Sequence, residues 1–188
     1  VDPVTGQIPD TIQAQTVQVI ENVKNFRSEL GILYLNDFNR KVLGKIFEEN
    51  NLEFHELFDC QEYVYLWSGH PLAKKKKITL EDLEDYPFLS FDQGSNNSFY
   101  FAEEVFSTYE YKQSIKANDR ATMLNLMKGL NGYTLCSGII CENLNGSEYC
   151  AVKLSTEETM TIGYLKRKGI PLSSIGKEYL KEISKYNN

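Results

Sequence analysis

Clustered metal ligands, strong positive charge and long apolar runs are what this sequence lacks most clearly. Its four cysteines, Cys60, Cys136, Cys141 and Cys150, form no C-x-x-C pair, and its two histidines, His55 and His70, stand alone. A structural zinc needs four such ligands at close spacing, so no metal site is expected. The cysteines lie in apolar, strand-like stretches, which raise thiol pKa and suit reduced core thiols. A redox-active Cys136 and Cys141 is the alternative. No apolar run approaches the roughly 20 residues that cross a bilayer. The first residues lack the charged-then-apolar layout of a secretion signal, so no membrane partner and a cytoplasmic location are expected.

Basic charge is scarce too. Lys and Arg number 20 against 26 Asp and Glu, a net charge of −6 spread along the chain. Gripping a phosphate backbone takes clustered cations. Lys74–Lys77 is the one basic run, read as a phosphate contact or as a solvated turn. There is no G-x-G-x-x-G, G-x-x-x-x-G-K-[ST], G-x-S-x-G or H-E-x-x-H, so no cofactor and no enzyme activity are expected. His70 is a turn residue beside Pro71 or a general base, and no acid or nucleophile accompanies it in sequence. Glu81-Asp82 and Glu84-Asp85 are expected to be solvated on a short helix.

What is present is a globular chain. With 41% apolar and 24% charged residues over 188 positions, it can build one large domain or two small lobes, each with its own core. Val1–Gln15 gives no clean period. From Thr16, Val19, Ile20, Val23 and Phe26 fall on one helical face. Glu29–Leu35 is a nearly continuous apolar run, as expected of a strand covered on both faces. Asn36 is placed to cap a helix with Phe38, Val42, Ile46 and Phe47 inward. Strands are expected around Leu52–Phe58 and Tyr63–Trp67. Gly69 to Lys77 then reads as a hand-over between two halves, since Pro71 stiffens it and its lysines cannot be buried.

The second half repeats this grammar. A strand, Phe88–Phe91, leads into Asp92–Ser98 and a helix carrying Phe101, Val105 and Tyr109. A strand near Ser114–Ala117 precedes Asn118-Asp119, a good cap, and a helix with Met123, Leu126, Met127 and Leu130 inward. Gly132 is placed for the left-handed position beyond its end. Strands Tyr133–Cys136, Tyr149–Leu154 and Met160–Lys166 follow. Ser173 or Ser174 caps a last helix with Ile175, Tyr179, Ile183 and Tyr186 on one face. Alternating strands and helices predict an α/β architecture on largely parallel sheets.

Several of these stretches together resemble a known family. "HPLA", the basic turn, "ITLEDL" and "YPFLSF" look like the centre of the effector-binding domain of LysR-type transcriptional regulators. "VIENVKNFRSELGIL", "NDRATMLNLMKGLNGYTLCSG" and "TIGYLKRKGIPLS" extend the resemblance from about Thr16 to the C-terminus. It implies a type 2 periplasmic-binding-protein-like fold, two Rossmann-like lobes joined by two crossover strands. Lobe I would comprise residues 1–86 plus 158–188 and lobe II residues 87–157. It also implies a regulatory domain that pairs into a homodimer or tetramer, with helix Thr16–Phe26 facing helix Asn97–Tyr109. Two departures are expected. The family's N-terminal helix-turn-helix, through which alone DNA would be bound, is absent, and the start of lobe I is barely represented.

In an open α/β sheet, ligands settle beyond the carboxyl ends of the strands, where helix N-termini favour anions. The loop after Phe91 is the best such place. Gly94 allows close backbone approach, and Gln93, Ser95, Asn96, Asn97 and Ser98 offer neutral donors and acceptors, although Asn97 or Ser98 also suits a plain helix cap. Asn36, Asn118 and Ser137 are further candidates, with Arg120 as an anion partner or a solvated first-turn residue. The expected function is a sensor of a small, carboxylate-bearing effector. The rivals are a solute-binding receptor of a transporter, a small α/β enzyme, and a fragment that mainly dimerises.

Overall fold

The computed structural model describes residues 16–92, 109–139 and 146–186. In chain order its elements are α1 (Thr16–Lys24), β1 (Leu30–Leu35), α2 (Arg40–Glu49), β2 (Leu52–Gln61), β3 (Tyr63–Trp67), α3 (Leu80–Leu83), β4 (Phe88–Phe91) and β5 (Ser114–Ala117). There follow α4 (Arg120–Gly129), β6 (Thr134–Cys136), β7 (Tyr149–Lys153), β8 (Thr159–Arg167) and α5 (Ser174–Ile183). The chain divides into two compact units, Val1–Phe58 with Ile162–Asn188, and Asp59–Thr161. The division falls inside β2 and inside β8, so both strands run from one unit into the other.

In the first unit the sheet order is β1-β8-β2. Buried Leu33 and Leu35 of β1, Leu52 of β2 and Leu165 of β8 belong to its core. At Gly163, β8 lies close against β2. A Cβ there would sit 2.3 Å from the Phe54 ring and 2.4 Å from the His55 carbonyl oxygen, so only glycine fits. Helix α1 buries Ile20 and Val23 and ends sooner than its apolar period suggests. The Phe26 N–H bonds the Val23 oxygen at 3.3 Å and the Arg27 N–H bonds the Asn22 oxygen at 2.8 Å, with Phe26 left-handed at φ +58°. This is a Schellman ending with phenylalanine where glycine is usual. Phe26 is therefore not on the inward face; it is 69% exposed, with the Arg167 guanidinium 3.9 Å over its ring.

The inward stripe of α2 keeps the expected Phe47 but is otherwise one residue off the expected one. Asn36 and Asn39 each accept the other's main-chain N–H through their side chains, both at 2.9 Å, and the Arg40 N–H bonds the Asn36 oxygen at 3.0 Å. That reciprocal cap sets the helical frame so that Asn39, Leu43 and Phe47, at steps of four, point inward and are buried. Phe38 is exposed and Val42 and Ile46 are half-buried. Helix α5 is capped by Ser173, whose Oγ accepts the Gly176 N–H at 3.1 Å. Its expected inward residues Ile175, Tyr179 and Tyr186 are exposed instead. The side that packs is Gly176, where a Cβ would lie 2.9 Å from the Glu29 carboxylate.

The second unit is built on β3, paired antiparallel with β6 and with β7. Strands β4 and β5 are parallel, and a parallel bridge from Phe88 to Tyr133 joins β4 to the start of β6. The expected largely parallel sheet is thus mixed. Alternation along β3 sends Val64 and Leu66 into one cluster with Leu72, Ile78, Leu83, Phe88 and Leu154. Tyr65 enters another with Leu89, Ala117, Met123 and Met127. Lys74–Lys77 is exposed, as its composition requires, while Leu72 and Ile78 on either side are buried. Thr79 and Asp82 form a capping box on α3, and Lys75 Nζ lies 2.5 Å from Asp82 Oδ1.

Helix α4 is capped by Asp119, whose carboxylate accepts the Thr122 N–H at 2.8 Å. Met123 and Met127 are buried; Leu130, expected inward, is exposed because the helix has already ended. Asn131, not Gly132, takes the left-handed position, at φ +51°, and the Gly132 N–H bonds the Met127 oxygen at 3.1 Å. Gly132 is needed for packing, since a Cβ there would meet Leu89 Cδ1 at 2.8 Å.

Candidate functional site

Three strands of the second unit run in one direction, so their carboxyl ends share an edge. Phe91 ends β4 opposite Ala117 of β5, and the Asp92 N–H bonds the Ala117 oxygen at 2.9 Å. Asn118 follows Ala117 and is exposed, directly ahead of the Asp119 cap of α4. Ser137 follows Cys136 at the end of β6 and is half-buried. The structure therefore brings Phe91, Asn118 and Ser137 to one sheet edge, next to the N-terminus of a ten-residue helix. Gln93, Gly94, Ser95, Asn96, Asn97 and Ser98 lie outside the described residues, as do Phe101, Val105 and Cys141. Asn36 stands at the carboxyl end of β1, in the first unit, with its side chain engaged in the α2 cap.

The edge combines a helix N-terminus with Arg120, the first residue of α4, and two buried polar groups. Hydrogen bonds from the Thr122 hydroxyl and main chain hold the Asp119 carboxyl below the usual range, so the cap is ionised. Tyr65, buried beneath, has a hydroxyl without a hydrogen-bond partner. Burial raises its pKa, and the charge of Arg120 works against that. Its ring lies 5.7 Å from that of Tyr149, whose hydroxyl donates to the Leu124 oxygen at 3.2 Å. Glu62, next to the Tyr63–Cys136 pair, is 0% exposed with both carboxylate oxygens unpartnered. Burial, with the charge of Glu158 adding, pushes its pKa up to about 7. Neither Tyr65 nor Glu62 stood out as a polar site in sequence. The available signal was parity, since Glu62 shares the inward phase of Val64 and Leu66.

Other candidates resolve into structural roles. His70 is buried, its Nδ1 accepting the Leu72 N–H at 3.0 Å and its Nε2 facing the Asn131 oxygen at 2.9 Å. Both nitrogens are occupied, which fixes a neutral imidazole with its proton on Nε2. Burial pushes the thiols of Cys60 and Cys136 up to about 11. Among the described residues no three His, Cys, Asp or Glu side chains are grouped to hold a metal ion, and no helix is long and apolar enough to cross a membrane.

The family model described as LysR substrate binding domain matches residues 10–181. Among solved structures, the chain is similar to the effector binding domain of QuiR in complex with shikimate (TM-score 0.61, 19% identity), covering 94% of this chain and 82% of that one. It is similar to HinK, a LysR family transcriptional regulator from Pseudomonas aeruginosa (TM-score 0.61, 15% identity, 93% of this chain and 58% of that one). It is also similar to the BenM effector binding domain with its effector benzoate (TM-score 0.59, 17% identity, 93% and 78%). A search of curated proteins found no match. At these identities the structural likeness speaks for the fold.

Proposed function

The chain belongs to the LysR substrate-binding-domain family, a type 2 periplasmic-binding-protein-like α/β fold, and on that premise we infer that it is the ligand-sensing regulatory domain of a LysR-type transcriptional regulator. Its effector is a small carboxylate-bearing metabolite received at the carboxyl edge of the second unit's sheet. The observation that supports this is the gathering of Phe91, Asn118 and Ser137 at the sheet edge beside the N-terminus of α4, where the helix dipole and the charge of Arg120 favour an anion. Gln93, Gly94, Ser95, Asn96, Asn97 and Ser98, which follow β4 in sequence, are further proposed effector contacts. Two of the similar domains are described with carboxylates, shikimate and benzoate.

The effector acts by binding one conformation of the domain better than another, and shifts their populations by that difference alone. The full-length regulator, in the cytoplasm, passes the shift to DNA through its helix-turn-helix. Homodimers or tetramers form through the regulatory domains, with α1 against the helix expected over Asn97–Tyr109. The domain carries out no reaction. A thermal-shift screen of amino acids, their acetylated precursors and small dicarboxylates tests this reading. Saturable stabilisation with the ligand recovered unchanged supports a sensor. Product formation, or no stabilisation by any carboxylate, removes it.

A further inference from the structure

At the opposite end of the same sheet, ahead of β4, β5 and β6, lies a cavity of about 130 Å³. Its walls include four tyrosines, Tyr86, Tyr109, Tyr111 and Tyr133, with the carboxylates of Glu84 and Glu110. The aromatic wall is ordered by its own contacts. Tyr111 stacks on Phe88 at 3.9 Å, Tyr109 meets Tyr111 edge-on at 5.0 Å, and Tyr133 packs against Phe88 at 5.6 Å. Tyr133 is 2% exposed, and burial raises the pKa of its hydroxyl.

Tyrosine faces carry negative quadrupole density, and carboxylates beside them add negative charge. Glu84 is paired with Lys112, while Glu110 is exposed at the cavity and carries no ion pair among the described residues. Walls of this kind attract a cation that carries apolar surface, and the volume is well below the roughly 300 Å³ of sites for drug-sized ligands. We propose that the tyrosine-walled cavity of Tyr86, Tyr109, Tyr111 and Tyr133 binds a small organic ammonium ion, with Glu110 as its counter-charge. The site is separate from the carboxylate edge and makes the domain responsive to a second, oppositely charged ligand. Lys112 is the competing internal cation.

Titration of the protein with tetramethylammonium chloride at constant ionic strength, followed by NMR, tests this, with tert-butanol as the neutral probe of similar shape. Tetramethylammonium is expected to bind saturably and tert-butanol not to. Tyr109→Leu and Glu110→Gln each weaken binding at least about threefold, the scale of one cation–π or charge contact. Lys112→Met tightens it, by removing the competing charge and freeing Glu84. Three results overturn the proposal: no saturable binding of tetramethylammonium, equal binding of tert-butanol, or affinity unchanged in both Glu110→Gln and Lys112→Met. The last two variants alter exposed side chains, so they remain informative if Tyr109→Leu fails to fold.

Discussion

The Nε2 of His70 lies 2.9 Å from the main-chain oxygen of Asn131, a residue that is itself left-handed and accepts the Trp67 indole N–H through its side chain at 2.9 Å. One asparagine thus ties the end of α4 to the turn after β3. The imidazole in this arrangement is neutral, and burial holds its pKa below the ordinary 6.5. The unfolded chain therefore binds a proton that the folded one refuses, and the stability His70 contributes is present above about 6.5 and lost as pH falls below it. Urea unfolding at several pH values should show His70→Ala less stable than the parent at pH 7.5, by about 1–3 kcal/mol for the unpaired Asn131 oxygen and Leu72 N–H. The difference should shrink toward pH 5. A gap that is flat with pH would mean His70 is not held neutral.

Glu62 has the opposite sign. Its folded pKa of about 7 lies above the ordinary 4.5, so the fold holds a proton that the unfolded chain gives up. Parent stability should therefore fall as pH rises from about 4.5 to about 7, and Glu62→Gln should escape that loss. Relative to the parent, the variant should gain more than about 1 kcal/mol between pH 4.5 and pH 8. Equal stability curves for the two proteins would show that the carboxyl is solvated or paired.

Two glycines in regular elements should respond in opposite directions. Gly44 lies inside α2 with nothing within 4 Å of an added Cβ. Gly44→Ala should stabilise by about 0.5–1 kcal/mol, as expected for removing glycine from a helix interior. Gly163→Ala, aimed at the His55 carbonyl, should destabilise by about 1–3 kcal/mol or more through backbone displacement. Thermal melts of the two variants suffice, and a stabilised Gly163→Ala would contradict the β8–β2 approach.

Phe26 sets a left-handed backbone cost of about 1–2 kcal/mol against a cation–π contact with Arg167 of about 0.5–1 kcal/mol. Phe26→Gly removes both and should leave the melting temperature nearly unchanged or slightly raised. Phe26→Val removes the contact and worsens the strain, since a β-branched residue tolerates positive φ poorly, and should lower it. Equal melting of the two variants would mean that α1 does not end in this way.

Where a feature depends on neighbours in the chain, it was legible. The run Tyr63–Trp67 and the stretch Ser114–Ala117 form strands with those bounds, and Ser173 caps the last helix. What escaped depends on partners distant in sequence. Phe26 continues the apolar period of α1, and nothing local says that its backbone turns left-handed under Arg167. Gly132 looks like a helix terminator, yet Asn131 takes that place and Leu89 dictates the glycine. The inward phase of α2 follows from the Asn36–Asn39 exchange, which favours Leu43 over Phe38. At the candidate site, Phe91, Asn118 and Ser137 could be picked out because strand ends and caps are local signals. Tyr65 could not, because its burial arises when β3 pairs with strands some seventy to ninety residues away, and for Glu62 only the parity with Val64 hinted at burial.

The most direct measurement is calorimetric titration of small carboxylates into the protein and into Asn118→Ala and Ser137→Ala. At least one carboxylate should bind the parent saturably, at one site per chain. The variants should keep the parent's melting temperature and weaken that binding about tenfold, the scale of a hydrogen bond to a charged group. Undiminished binding in both variants, or no binding by any carboxylate, would contradict an effector seated beyond the ends of β4, β5 and β6.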